Sequence, residues 1–201
     1  MRKVRLMLGV CLIGFASHAA RISPDHLRDR LRSVQGRHYP ELSGLTLELN
    51  AFYSDRDFFR SRISPWTVFS PSDRRRYLIE YNPKILNDPP SDAAIDAILA
   101  HELAHIRDYA RMSAWDLCRF AVWYMVENHA DYERKTDETV LEKGLGQGLA
   151  EFRTWLYAHL PPQGVAEKKR DYLTPEEIRG RTASPSHLLG TGNSEQRKAR
   201  R

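Results

Sequence analysis

The chain has 201 residues, enough for one domain with a real core, and an ordinary globular balance of 41% hydrophobic and 28% charged residues. Its formal charge of +5 sits at the ends. Of the 31 Lys and Arg, seven (Arg2, Lys3, Arg5, Arg197, Lys198, Arg200 and Arg201) lie in the first and last five residues, leaving 24 against 26 Asp and Glu. The body therefore has no basic excess, which speaks against a nucleic-acid partner.

Residues 1–19 read as a secretory signal: a basic start, an apolar run over 6–16, and Ser17-His18-Ala19 as a small-x-small cleavage site. This predicts a periplasmic or secreted protein; an uncleaved N-terminal anchor is the alternative. With Cys11 removed only Cys118 remains, so no intramolecular disulfide forms. The folded domain is expected over residues 20–179, and residues 180–201, rich in Gly, Ser, Thr, Asn and basic residues, form a disordered tail.

Ser23-Pro24-Asp25 opens a helix with Leu27, Leu31 and Val34 on one face, closed by Gly36. Residues 45–52 alternate as a strand, 58–63 form a second, and Tyr77-Leu78-Ile79-Glu80-Tyr81 is the clearest strand, ended by Asn82-Pro83. After Pro89-Pro90, Ser91 caps a helix over 91–111 whose stripe is Ile95, Ile98, Leu99, Leu103 and Ile106. Ser113 opens the next helix. It is apolar nearly all round from Trp115 to Val126, which predicts a central position, and it runs, with a bend, to residue 143. Gly144 to Gly148 end it as a C-cap and hinge. A helix over 149–160 stops at Pro161-Pro162, and Thr174-Pro-Glu-Glu177 caps a short last helix.

The first long helix carries His101-Glu102-Leu103-Ala104-His105, an H-E-x-x-H sequence. Residues i and i+4 share a helix face, so both imidazoles can address one ion, and a carboxylate beside them can take a proton from the water it holds. A catalytic zinc site wants three protein ligands and an open position. Glu133 and Asp137, again i and i+4, supply a third ligand and a carboxylate to hold a ligating imidazole from behind. His129, one turn before Glu133, is the alternative third ligand.

H-E-x-x-H on one helix and E-x-x-x-D on a later one resembles the gluzincin metallopeptidases, the thermolysin-like enzymes and the CAAX prenyl protease relatives among them. His101, Glu102, His105, Glu133 and Asp137 match that pattern position by position. Thr136 stands where Ala is common in the latter group, whose transmembrane helices have no counterpart here; the resemblance covers residues 77–137. It implies an α+β zincin-like fold, a small mixed sheet with an edge strand over a metal cleft and packed helices. It also implies one Zn2+ and an extended peptide or protein substrate. By that likeness strand 77–81 is the edge strand, and Leu78, Ile79 and Tyr81 line the substrate.

The chemistry expected is hydrolysis of a peptide bond, with Glu102 as general base and a further donor for the oxyanion drawn from His129, Tyr132, Tyr157, His159 and Tyr172. Two other functions stay open: a zincin-like metal-binding or assembly protein, and a metal-dependent amidase on a non-peptide substrate.

Overall fold

The computed structural model describes residues 21–127 and 129–183. The expected signal segment and the expected tail beyond residue 183 lie outside the described residues. The fold is α+β, a three-stranded mixed sheet with helices packed against it.

α1 (Pro24–His38) starts where Ser23 accepts the His26 N–H and buries Leu27, Leu31 and Val34. It continues through Gly36, which adopts no left-handed turn, and ends at Tyr39. β1 (Thr46–Ala51), β2 (Phe59–Ile63) and β3 (Arg76–Tyr81) pair in the order β1-β3-β2, with β1 parallel and β2 antiparallel to β3. β3 is therefore the central strand. Tyr77, Ile79 and Tyr81 are buried on the same face of the sheet as their partners Ile63, Ser61 and Phe59, while Glu80 on the other face binds Arg60 and Arg62.

α2 (Asp92–Arg111) is capped by Ser91, whose hydroxyl accepts the Ala94 N–H. It is buried on every side from Ala94 to Ile106, so it, and not the following helix, runs through the centre of the fold. Small alanines at 94, 97, 100 and 104 let α1, the sheet and later helices approach it closely. Asp96, buried within it, is neutralised by Arg30 and Arg37 of α1.

The expected helix over 113–143 is two helices. α3 (Ala114–Val126) ends at an extended Glu127, and α4 (Ala130–Glu142) begins after His129. Only Leu117 of α3 is buried; Trp115, Val122, Met125 and Val126 face outward. The predicted core helix is thus a surface helix whose inner face roofs a cleft.

Gly144, with φ +77, turns the chain into α5 (Gly146–His159), as a left-handed C-cap requires. Gly148 lies inside α5 against the first turn of α2: a Cβ there would sit 2.2 Å from the Ala93 carbonyl oxygen. Pro162 begins α6 (Pro162–Asp171) at the position where its missing N–H costs nothing, where only a stop was expected. α7 (Pro175–Ala183) is opened by a reciprocal cap: Thr174 Oγ1 accepts the Glu177 N–H and Glu177 Oε2 accepts the Thr174 N–H. It includes Gly180, so residues 180–183, expected in the tail, are helical.

Candidate metal centre

The middle of α2 carries His101 and His105 one turn apart, their rings edge to face with centroids at 4.7 Å. α4 brings Glu133 across to them. Glu133 Oε2 lies 3.1 Å from His101 Nε2 and 3.3 Å from His105 Nε2, and the two nitrogens are 3.1 Å apart. Three lone-pair atoms thus converge on one point, and all three residues are buried. Among the described residues this is the one His/Cys/Asp/Glu group arranged to hold a metal ion. His129 is outside it; its ring stacks on Tyr124 at 4.2 Å.

Each donor has a partner behind it. Asp137 Oδ1 lies 2.9 Å from His101 Nδ1, a close contact without the alignment of a full hydrogen bond. His105 Nδ1 is 3.0 Å from the Tyr132 hydroxyl. Tyr124 on α3 donates its hydroxyl to the second oxygen of Glu133 at 2.6 Å. Such contacts fix which ring nitrogen is free and where it points. Asp137 is itself held by Arg153 and by the Leu173 N–H, both at 2.9 Å.

Electrostatics follow the same layout. Burial disfavours a charged His101 ring, but Asp137 and Glu133 outweigh it and raise its pKa to about 9. Burial also works against charge on Glu133 and Asp137, yet both stay below the usual carboxylate range: His105 and His101 hold Glu133 down, and Arg153 and His101 hold Asp137 down. The imidazoles and carboxylates thus stabilise each other's charged forms, and a bound cation would take the place of the proton on His101. Glu102, one residue from His101, is raised chiefly by burial; the two histidines and the Ser61 hydroxyl act the other way.

The donors and Glu102 line a cavity of about 750 Å³. One wall is β2 from Phe59 to Ile63, the other the inner face of α3 with Leu117, Phe120, Ala121 and Tyr124. Comparison with family models, with curated proteins and with solved structures gives no match.

Leu78, Ile79 and Tyr81 are not at this cleft. They sit on the central strand, whose backbone is paired on both sides, and the Ile79 and Tyr81 side chains are buried. β2 takes the edge position. The Asn82 N–H donates to Phe58 O and the Ser64 N–H to Arg76 O, so residues 58, 60, 62 and 64 turn their backbone groups toward β3. By the alternation of an antiparallel pair, Phe59, Ser61 and Ile63 turn theirs to the open edge.

Of the five residues that could donate to an oxyanion, four are committed elsewhere or stand away from the cavity. Tyr132 serves His105, His129 stacks on Tyr124, His159 pairs with Asp88 at the surface, and Tyr157 is not in the cavity wall. Tyr172 lines the cavity, and its hydroxyl makes no hydrogen bond to another described residue. Tyr124 had no sequence signal of its own: its role needs the turn between α3 and α4.

Proposed function

We propose that the chain is a zinc-dependent peptidase of the gluzincin type, acting on an extended peptide held along β2. The observation that carries this reading is the convergence of His101, His105 and Glu133 at the wall of an open cleft, with Glu102 beside them.

Zinc suits the donor set. Two imidazole nitrogens and one carboxylate oxygen are its usual ligands, and donors about 2.0–2.1 Å from a tetrahedral ion stand about 3.3–3.4 Å apart. The three donor separations here are 3.1, 3.1 and 3.3 Å. A purely structural site tends to be closed by a fourth protein ligand; these donors line a cavity instead.

Bound there, zinc would acidify a water and polarise the scissile carbonyl. Glu102, kept basic enough by burial to accept a proton, takes it from the attacking water and passes it to the leaving amine. Tyr172 donates its hydroxyl to the oxygen on which negative charge develops. The open edge of β2 at Phe59, Ser61 and Ile63 offers an extended chain a ladder of backbone hydrogen bonds. A cavity running along that edge fits a peptide better than a small closed substrate.

Metal analysis of the purified protein together with cleavage of a casein-type substrate tests the reading. About one zinc per chain and chelator-sensitive cleavage that Glu102→Gln abolishes are expected. Cleavage untouched by Glu102→Gln would put the activity elsewhere.

A further inference from the structure

We propose that Arg153 is a positioning residue of this site, tying the carboxylate behind His101 to Tyr172 through one buried ion pair. The inference rests on the peptidase reading for its kinetic arm alone.

Arg153 projects from α5 and is 2% exposed. One terminal nitrogen donates to Asp137 Oδ1 at 2.9 Å, the oxygen that also stands 2.9 Å from His101 Nδ1. The guanidinium carbon lies 4.4 Å from the centroid of the Tyr172 ring. Asp137 completes the arrangement from its other oxygen by accepting the N–H of Leu173, the next residue in the chain. Arg153 and Asp137 together therefore grip residues 172 and 173 by ring and by backbone, while Asp137 also orients His101.

Stability alone does not account for such a residue. A buried ion pair gains little over an apolar pair of similar shape, because desolvation offsets the attraction. This one is also incompletely satisfied, since Arg153 Nε is buried with no partner. What the guanidinium does supply is a flat cation across an aromatic face, which fixes a ring plane as an apolar side chain does not. A small cavity of about 30 Å³ lined by Arg153, Glu102, His101 and Tyr172 shows that these groups share one space behind the cleft. Its size suits a water on the unpaired Nε–H.

The test uses the full chain with Tyr172→Phe, Arg153→Met, Arg153→Lys and the Tyr172→Phe/Arg153→Met double variant, each checked by thermal melt. Loss of an oxyanion donor costs about 10²–10³ in kcat. Tyr172→Phe is expected to show a loss of that scale with KM little changed. Arg153→Met should lose kcat similarly, and the double variant should fall less than about threefold below Tyr172→Phe, since both remove one function. Arg153→Lys, which keeps a charge for Asp137 but not the flat face, should keep its metal yet remain slow. Losses that multiply in the double variant, or Arg153→Met at wild-type kcat, would overturn the proposal. If the wild-type chain cleaves no peptide, the peptidase reading fails and the visible spectrum of the Co2+-loaded protein decides. Bands displaced in Arg153→Met but not in a distant surface variant support the link to His101, and unchanged bands refute it.

Discussion

The hydroxyl of Tyr124 lies 2.6 Å from Glu133 Oε1, although nine residues separate the two in sequence. In one continuous helix they would stand about 13 Å apart along the axis. The break at Glu127 folds α3 back over α4 and converts a surface tyrosine into the support of a carboxylate placed to hold a metal ion. Burial and the neighbouring Glu133 raise the Tyr124 pKa, so the hydroxyl keeps its proton and remains a donor. Tyr124→Phe should therefore weaken zinc about 10–100-fold, the usual scale for a lost support of a ligand, with little change in the melting of the metal-free protein. Competition against a chelator of known affinity measures it; an unchanged zinc affinity would show that the contact is idle.

A second prediction concerns the scaffold. Gly148 allows α5 to lie against Ala93 of α2, where an added methyl would fall 2.2 Å from a backbone oxygen. Backbone cannot rotate aside as a side chain can, so the two helices must separate. Gly148→Ala should cost about 1–3 kcal/mol despite its better helix propensity. Gly36, with nothing within 4 Å of an added Cβ, is the control: Gly36→Ala in α1 should be neutral or slightly stabilising. Urea melts of both variants read the difference, and equal midpoints would mean that α2 and α5 have slack.

What was legible in the sequence was local. Ser91 and Ser113 cap the helices they were expected to cap, and Thr174 with Glu177 forms the expected reciprocal cap. His101 and His105 needed only helical spacing to share a face, and Glu133 joins them while His129 does not. What was illegible was non-local. The order β1-β3-β2 depends on how three separate strands meet, so strand 77–81, which the resemblance made an edge, proves central. Hydrophobicity alone placed α3 in the core, yet the alanine-rich α2 fits there because small side chains allow close approach. Tyr124 and Arg153 act through contacts made by chain reversals, and periodicity carries no trace of those.

The swap of edge strands has a consequence for substrate recognition. Ser61 turns its backbone groups to the open edge of β2 and lines the cleft, whereas Leu78 lies on the other face of the central strand, outside the cleft wall. Leu78→Ala should leave KM within about twofold, since surface substitutions away from a site have small effects. A peptide N-methylated at the amides facing β2 should bind at least about tenfold more weakly, losing hydrogen bonds worth about 0.5–1.5 kcal/mol each. Equal cleavage of the methylated and unmethylated peptides would remove β2 from the binding surface.

The last prediction separates catalysis from metal binding. Glu102 neighbours His101 but is rotated about 100° around the helix from it, and it is not one of the three converging donors. Glu102→Gln should therefore keep zinc near one equivalent while hydrolysis falls by about two orders of magnitude or more, the scale of a lost general base. Glu133→Ala should lose metal and activity together, because two protein ligands would remain where three are usual. Asp137→Ala should fall between them, with zinc weakened about 10–100-fold and stability reduced by about 3–5 kcal/mol, since Arg153 would be left buried and unpaired. His129→Ala should keep the metal, since its ring stacks on Tyr124 outside the donor group. Metal content by atomic emission beside initial rates on one substrate reads all four variants. If Glu133→Ala keeps its zinc while His129→Ala loses it, the hydrolase survives as a three-histidine site and the gluzincin assignment falls.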